Sequence, residues 1–264
     1  MNVKDALRGS GLPSADAEVL LARALNRDRA WLLAHGDELI AGDQWTLFMQ
    51  WVERRRKHEP VAYITGVQEF YGRPFTVDKR VLIPRPATEG IVTRALQFLK
   101  DGQDATDDVD EGIIVISKKI SQRGSSTRNF SDFSTIVDVG TGSGCIGITL
   151  ALERPDLKII ATDISSEALD VARMNAERHG MADRIEFRQG DGLGPVMYLA
   201  EPFLLVSNPP YIPSGNDIMK DVKDFEPHVA LFGGIKGDEV RNRLILAAEG
   251  HPFCVGYVFE GHRE

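Results

Sequence analysis

The tetrad Asn208-Pro209-Pro210-Tyr211 has the residue types needed to hold a planar –NH₂ group, and it follows an apolar run at 203–206 that is typical of a buried strand. Prolines have a fixed φ and no backbone N–H, so the carbonyls beside them stay available as acceptors. The Asn208 amide adds one acceptor and two donors, and the Tyr211 ring adds a flat apolar wall. Such a set can bind the two N–H groups of an amide or an exocyclic amine and turn the nitrogen lone pair toward an electrophile. An ordinary proline-rich turn can contain the same residues, so the tetrad alone leaves both interpretations open.

A glycine-rich turn lies upstream, between a predicted strand at 135–139 and a predicted helix at 145–152. Glycines spaced by two let the backbone turn tightly and approach a ligand closely at a helix N-terminus. The spacing is G-x-G-x-G, which differs from the G-x-G-x-x-G of dinucleotide sites, and no P-loop lysine follows. We expect this turn to contact a small-molecule cofactor. Its residues are Gly140, Thr141, Gly142, Ser143 and Gly144.

Two further predicted strands end in acidic residues. The strand at 158–162 leads to Asp163, a position from which a carboxylate can bind ribose hydroxyls. The strand at 184–188 leads to Asp191 and Gly192, which are placed to meet a base edge. Each feature alone is compatible with an ordinary turn. Together with the glycine turn and the tetrad, all at the carboxyl ends of strands, they are strong evidence for a ligand site.

The composition limits the classes of protein that fit. A chain of 264 residues has room for one large and one small domain, and its net charge of −8 argues against a general nucleic-acid binder. The absence of a long apolar run and of a signal core predicts a cytoplasmic protein with no membrane partner. Cys145 and Cys254 have no metal-ligand spacing, so we expect no metal. The basic cluster at 54–57 suits either a helix end or contact with a partner.

The pattern of apolar residues predicts three segments. Residues 1–60 have helical spacing, 61–90 contain strand and turn signals typical of a β-hairpin, and 91–264 alternate strand and helix as in a doubly wound parallel sheet. Within the last segment, 101–134 is acidic and then polar, which predicts a mobile surface insertion. Its short apolar run at 113–116 could pair as an edge strand or cover a neighbouring element.

With these motifs the chain resembles class I methyltransferases and, more closely, the HemK/PrmC family, the protein-(glutamine-N5) methyltransferases of peptide-chain release factors. The resemblance covers most of the chain outside 101–134. Besides the turn and the tetrad, it rests on residues 16–21, 54–55, 59–66, 70–77, 81–89, 225–227 and 230–234.

The resemblance implies an α/β fold, a Rossmann-like parallel sheet with a small N-terminal helical domain joined by a β-hairpin. It implies S-adenosylmethionine as cofactor and the Gly-Gly-Gln (GGQ) loop of class 1 release factors as partner, with no direct nucleic-acid contact. Asn208 and Pro209 would accept the N–H bonds of the glutamine amide. The tetrad as a whole is the catalytic set, with Tyr211 against the amide plane.

The resemblance also assigns the cofactor side. The glycine turn would admit the methionine part, Asp163 would hold the ribose, and Asp191 with Gly192 would lie near the adenine. The cofactor-binding set implied by the resemblance also includes Asn208, Arg85 and Thr88. Arg85 and Thr88 belong to a segment expected to close over the site. The family has Glu where this chain has Ala87, so one carboxylate is missing from that segment.

Family members normally continue with a further helix and a closing hairpin. We therefore expect the strand at 253–259 to be an exposed sheet edge. Two alternatives remain open. One is an N6-adenine methyltransferase acting on DNA or RNA, which needs the same amine-holding tetrad. The other is an inactive scaffold that lacks the C-terminal strands.

Overall fold

The computed structural model describes residues 1–101, 112–117 and 133–261, and these form two compact units. The first consists of Met1–Val67 with Ile218–Phe225, and the second begins at Gln68 and comprises the rest. The predicted boundaries at residues 60 and 90 stay a prediction. Most of the predicted insertion at 101–134 lies outside the described residues, so its mobility also stays a prediction.

The first unit is helical. Two of its helices begin with a side-chain cap: the side chains of Asn2 and Asp28 accept the backbone N–H groups of Asp5 and Trp31. Its helices are α1 (Val3–Gly9), α2 (Ser14–Leu25), α3 (Arg29–Ala34), α4 (Gly42–Arg56), α5 (Val61–Thr65) and, from the second segment, α9 (Lys220–Phe225). The apolar faces of α1 to α5 form one core that includes Leu20, Leu21, Phe48 and Val52.

The basic cluster at the end of α4 is held by acids of the same unit. Arg54 pairs with Glu59, and Arg55 pairs with Asp16 at 2.7 Å. Arg56 donates to the carbonyl of Ser10 at 2.7 Å. These intramolecular bonds favour the structural interpretation of the cluster over a docking role.

A β-hairpin follows the helices in the chain, as predicted. It joins β1 (Val67–Phe70) to β2 (Arg73–Thr76) through the two-residue turn Tyr71-Gly72. Both turn residues have positive φ, +54° and +71°, the geometry that matches the twist of paired strands.

The second unit is built on a six-stranded sheet in the order β3-β10-β7-β4-β5-β6. Five strands are parallel and β3 is antiparallel to β10, so the predicted fold class is confirmed. The strands are β3 (Ile113–Ser117), β4 (Thr135–Val139), β5 (Lys158–Asp163), β6 (Ile185–Gln189), β7 (Phe203–Ser207) and β10 (Cys254–Glu260). The helices of this unit are α6 (Glu89–Asp101), α7 (Cys145–Glu153), α8 (Ser166–Arg178) and α10 (Glu239–Gly250), and a two-stranded sheet pairs β8 (Ile212–Pro213) with β9 (Phe232–Gly234).

Both faces of the four central strands β10, β7, β4 and β5 are buried, and successive side chains of a strand enter the cores on opposite faces. On β7, Leu204 and Val206 join the core that also contains residues of α6 and α7. Phe203 and Leu205 join the core on the α10 side. The central strands are therefore largely apolar, which is why the sequence revealed them, whereas the edge strand β6 carries the exposed residues Glu186 and Gln189.

The predicted exposed edge at 253–259 is wrong. β10 pairs with β7 on one side and with β3 on the other, with Val258 opposite Val115. The apolar run at 113–116 forms the edge strand of the sheet, which is one of the two roles expected for it from the sequence. Its backbone satisfies the N–H and C=O groups that would otherwise be unpaired.

Within the described ranges, no helix combines the length and the apolarity that crossing a bilayer demands.

Candidate active site

A cavity of about 200 Å³ opens at the carboxyl edge of the sheet in the second unit. The predicted site residues that line it are Gly140, Thr141, Gly142, Ser143, Asp163, Asp191, Gly192, Asn208, Pro209, Pro210 and Thr88. Three others, Gly144, Arg85 and Tyr211, are not among its lining residues. The structure thus brings the glycine turn and the start of the tetrad to one cavity.

The glycine turn has two kinds of glycine. Gly140 and Gly142 have φ of +69° and +56°, and a Cβ at either position would meet no atom within 4 Å. Their backbone therefore faces the open cavity. Gly144 has φ of +81°, and a Cβ there would lie 2.8 Å from Ile148 and 3.2 Å from Ala172. Gly144 is thus required for packing behind the turn as well as for its conformation.

Asp163 ends β5 and ties the glycine turn to the next loop. Its two carboxylate oxygens accept the backbone N–H groups of Gly142 and Ser165, each at 2.9 Å. Burial raises the pKa of this carboxyl group, and the backbone donors of Ser165 and Gly142 oppose that effect. The carboxylate lines the cavity and is held in place by the backbone on both sides.

Asp138, which the sequence analysis did not single out, supports the turn from inside β4. It is fully buried, and its Oδ2 accepts the Thr141 hydroxyl at 2.6 Å and the Gly147 N–H at 3.1 Å. Burial raises the pKa of Asp138 to about 6, against the effect of these two donors. Its Oδ1 has no partner among the described residues. An acidic residue within an otherwise apolar strand was the signal that could have identified it.

The tetrad follows β7, and its first residue is held by two buried polar side chains. The Ser207 hydroxyl donates to the Val139 carbonyl at 2.7 Å and links β7 to β4. The Asn208 amide nitrogen donates to Thr88 Oγ1 at 3.0 Å, and the Thr88 hydroxyl donates to Glu260 Oε2 at 2.7 Å. Thr88 therefore contacts the tetrad directly.

Two glycines allow close backbone packing at the other end of the tetrad. A Cβ on Gly233 would collide with the carbonyl oxygens of Pro210 and Gly237, and a Cβ on Gly237 would collide with the carbonyl oxygen of Tyr211. The β8–β9 pair brings these backbones together, with Ile212 opposite Phe232. The glycines therefore permit a backbone approach that positions Pro210 and Tyr211.

Arg85 belongs to the segment before α6, which a buried carboxylate fixes. Glu226 accepts the Ile83 N–H at 3.1 Å and also binds the Arg85 guanidinium. The Glu226 side chain is 1% exposed and that of Arg85 is 34% exposed, so the pair is anchored from its buried end. Ala87, where the resemblance led us to expect Glu, is exposed in a short 3-10 helix at Pro86–Thr88.

Tyr211 stays protonated near neutral pH. Burial raises the pKa of its hydroxyl, and the carboxylates of Glu260 and Glu226 add to the rise while Arg85 opposes it. The side chain is therefore suited to packing and hydrogen bonding, and not to acting as a base.

Asp191 has a partner that the sequence did not reveal. Arg243 on α10 donates to its carboxylate at 3.1 Å, and Arg243 also lines the cavity. Both side chains are more than half exposed, so the pair lies at the mouth of the cavity, where such a bridge contributes little stability.

No cluster of three or more His, Cys, Asp or Glu side chains able to hold a metal ion occurs in the part of the chain that the structure describes. The expectation of no metal stays a prediction.

The parallel sheet, the glycine turn after its first parallel strand and the cavity at its carboxyl edge define a Rossmann-like methyltransferase domain. Family models agree: residues 2–66 match the PrmC N-terminal domain and residues 98–225 match the methyltransferase small domain. The chain is 38% identical over 234 residues to a release factor glutamine methyltransferase of Koribacter versatilis, covering 88% of this chain and 72% of that one. A protein of the same name from Chlorobaculum tepidum is 38% identical over 241 residues, covering 89% of this chain and 74% of that one.

The chain therefore belongs to the release factor glutamine methyltransferase family. A bifunctional methyltransferase of Rickettsia felis is also similar, 36% identical over 94% of this chain and 47% of that one. S-adenosylmethionine is the methyl donor of the family.

The raised pKa of Asp138 predicts that the folding stability of the chain depends on pH. Its pKa is about 6 in the folded chain, against the ordinary value of 3.8 for an aspartate, so between these two pH values the folded state holds a proton that the unfolded state has released. The stability that this group contributes is therefore present below pH 3.8 and is lost as the pH rises through about 6, by about 3 kcal/mol in total.

Asp138→Asn removes this titration. We expect the free energy of unfolding of the variant to rise relative to that of the parent by up to about 3 kcal/mol between pH 4 and pH 7. Denaturant titrations of both proteins at several pH values measure the difference. A difference that does not change with pH would contradict the assignment.

A second prediction concerns Gly233, which has no positive φ and is restricted only by its neighbours. We expect Gly233→Ala to lower the free energy of unfolding by about 1–3 kcal/mol, because the added methyl group overpacks against backbone carbonyls. Gly250→Ala is the matched control, since Gly250 is exposed and a Cβ there meets no atom within 4 Å. Equal effects of the two substitutions would show that the close approach at Gly233 is not real.

Proposed function

We propose that the chain transfers a methyl group from S-adenosylmethionine to the side-chain amide nitrogen (N5) of the glutamine in the GGQ loop of class 1 release factors. One observation carries the proposal: the glycine turn and Asn208 with its two prolines line the same cavity. A methyl donor and an amide can therefore meet there.

The residues of the cofactor side fit the donor. S-adenosylmethionine, when bound, supplies an electrophilic methyl group on a sulfonium. Gly140 and Gly142 leave the backbone open where the methionine part is expected, since a Cβ at either position would project into free space. Asp163 lines the cavity, and each of its carboxylate oxygens accepts one backbone N–H. Each oxygen therefore keeps a second lone pair that can accept a ribose hydroxyl. Asp191 and Gly192, at the end of β6, are assigned to the adenine side.

The residues of the acceptor side fit a carboxamide. An amide nitrogen is a poor nucleophile because its lone pair is delocalised into the carbonyl group. The Asn208 side-chain oxygen and the Pro209 carbonyl would accept its two N–H bonds and direct the nitrogen at the methyl group. Positioning of this kind lowers the entropy cost of bringing the two reacting atoms together. The two acceptors also favour the positive charge that builds up on nitrogen as the C–N bond forms.

No dedicated base is assigned. The methylated nitrogen becomes more acidic as it gains charge, so it can release its proton to water after transfer. The neutral hydroxyl of Tyr211 agrees with a packing role against the amide plane. Arg85 and Thr88, held by Glu226 and Glu260, would order the segment that borders the cavity.

A release factor is the partner that this reaction needs. The acidic balance of the chain, −8, fits a protein substrate better than a nucleic acid strand. With this substrate the chain would act in the cytoplasm, where translation ends.

The direct test is incubation of the chain with isotopically labelled S-adenosylmethionine and a purified class 1 release factor, followed by mass spectrometry of the GGQ peptide. We expect one labelled methyl group on the glutamine side chain. Parallel reactions contain an adenine-bearing oligonucleotide and a release factor with Gln→Glu in the loop. Label on the oligonucleotide would favour the adenine alternative, and titration calorimetry without cofactor binding would favour the inactive scaffold.

Asn208→Ala tests the role of the tetrad. We expect kcat to fall by about 10² or more while the Kd for S-adenosylmethionine stays within about 2-fold, because the lost hydrogen bonds act mainly in the transition state. Asn242→Ala is the matched control, since Asn242 is an exposed residue whose amide donates to Asp238, the residue just before the same helix. Equal losses of kcat and cofactor affinity in Asn208→Ala would contradict the assigned role.

A further inference from the structure

Three side chains from distant parts of the chain form a hydrogen-bonded series at the site. Asn208 Nδ2 donates to Thr88 Oγ1 at 3.0 Å, and Thr88 Oγ1 donates to Glu260 Oε2 at 2.7 Å. Thr88 is 2% exposed and Glu260 is 8% exposed, so water does not compete freely for these bonds. Only Asn208 and Thr88 line the cavity, which places Glu260 behind them.

We propose that Glu260 is a positioning residue: acting through the Thr88 hydroxyl, it fixes the Asn208 amide with its oxygen toward the cavity, and so makes the site select a carboxamide over a carboxylate. The inference rests on the proposed function, because the selected group is the substrate glutamine.

The orientation follows from counting hydrogens. The Thr88 hydroxyl donates to Glu260 Oε2, so its single hydrogen is directed at that side chain. Thr88 Oγ1 then has only lone pairs to offer to Asn208. If the Asn208 amide were flipped, its oxygen would face another acceptor with no hydrogen between them. The –NH₂ group must therefore face Thr88, and Oδ1 must point elsewhere.

The Asn208 oxygen is thereby left for the substrate. Asn208 is half-buried, lines the cavity, and its Oδ1 accepts no hydrogen bond from the described residues. A glutamine side chain can donate an N–H to this oxygen. A glutamate side chain of the same shape offers only acceptors when ionised, so two acceptors would meet and the site would reject it.

The sheet holds the two ends of the series side by side. β10 and β7 are parallel neighbours in which Phe259 lies opposite Ser207, so the next residues, Glu260 and Asn208, emerge together at the same edge. Thr88 ends the 3-10 helix before α6 and bridges them. Because the backbone of both strands is fixed by the ladder, the orientation does not depend on a flexible loop.

Glu260→Gln is the central variant. A glutamine side chain of the same size can donate to Thr88 as well as accept from it, so the Thr88 hydrogen becomes free to turn toward Asn208 and the amide can flip. We measure KM and kcat for the release factor, and the inhibition constant of its Gln→Glu form. We expect the preference for the Gln form over the Glu form to fall by at least about 10-fold and kcat to fall by a similar factor. The Kd for S-adenosylmethionine stays within about 2-fold of the parent value.

Thr88 variants separate the hydrogen bond from packing. Thr88→Val keeps the shape and removes the hydroxyl, so we expect the same loss of preference as in Glu260→Gln. Thr88→Ser keeps the hydroxyl and should restore most of the preference. Thr93→Val is the control, since the Thr93 hydroxyl is exposed and donates only to the Glu89 carbonyl of its own helix.

A spectroscopic measurement decides the orientation without any turnover. The Asn208 side-chain –NH₂ signals, identified by their absence in Asn208→Ala, should exchange with solvent at least about 10-fold faster in Thr88→Val than in the parent, because the acceptor for one hydrogen is lost. Unchanged exchange in Thr88→Val, or an unchanged Gln-over-Glu preference in both Thr88→Val and Glu260→Gln, would overturn the inference.

If the parent does not methylate the release factor, the proposed function fails, and the exchange measurement still decides whether the series orients Asn208. If Glu260→Gln does not fold, the Thr88→Val and Thr88→Ser pair carries the test.

Discussion

The site depends on the parallel register of β5, β4, β7 and β10. Val139 of β4 lies opposite Thr162 of β5, and Phe259 of β10 lies opposite Ser207 of β7. Parallel strands in level register end at the same edge of the sheet, so the residues that follow each strand are delivered to one place. The glycine turn, Asp163, Asn208 and Glu260 are neighbours for this single reason, although up to 120 residues separate them in the chain.

The second constraint is the burial of carboxylates beside this edge. A buried carboxylate is costly unless donors compensate it. Asp138 receives Thr141 and Gly147, and Glu226 receives Ile83 and Arg85. Asp163 and Glu260 likewise accept donors from the turn and from Thr88. Each acid thus orders a loop by binding the donors of that loop. Compensation is incomplete at Asp138, whose buried Oδ1 has no partner among the described residues. The edge is held in shape at some cost in stability.

The glycines of the site contribute through what they allow to come near. At Gly140 and Gly142 the missing side chain leaves the backbone open to the cavity, whereas at Gly233 and Gly237 it lets one backbone approach another. The first pair belongs to the proposed cofactor side and the second pair supports the tetrad. Positions of both kinds look alike in a sequence, because the same residue type solves two different steric problems.

Local patterns in the sequence determined the strands, the glycine turn and the tetrad, because continuous apolar runs, glycine spacing and prolines act through the nearest residues of the chain. They also allowed the family to be named from its motifs. Only the tertiary structure decided which distant residues meet. The pairing of Ile113–Ser117 with β10, which overturned the expected exposed edge, joins a strand inside the predicted insertion to a strand far along the chain. The support of Asn208 by Thr88 and Glu260 depends on strand order and register, which no local pattern encodes.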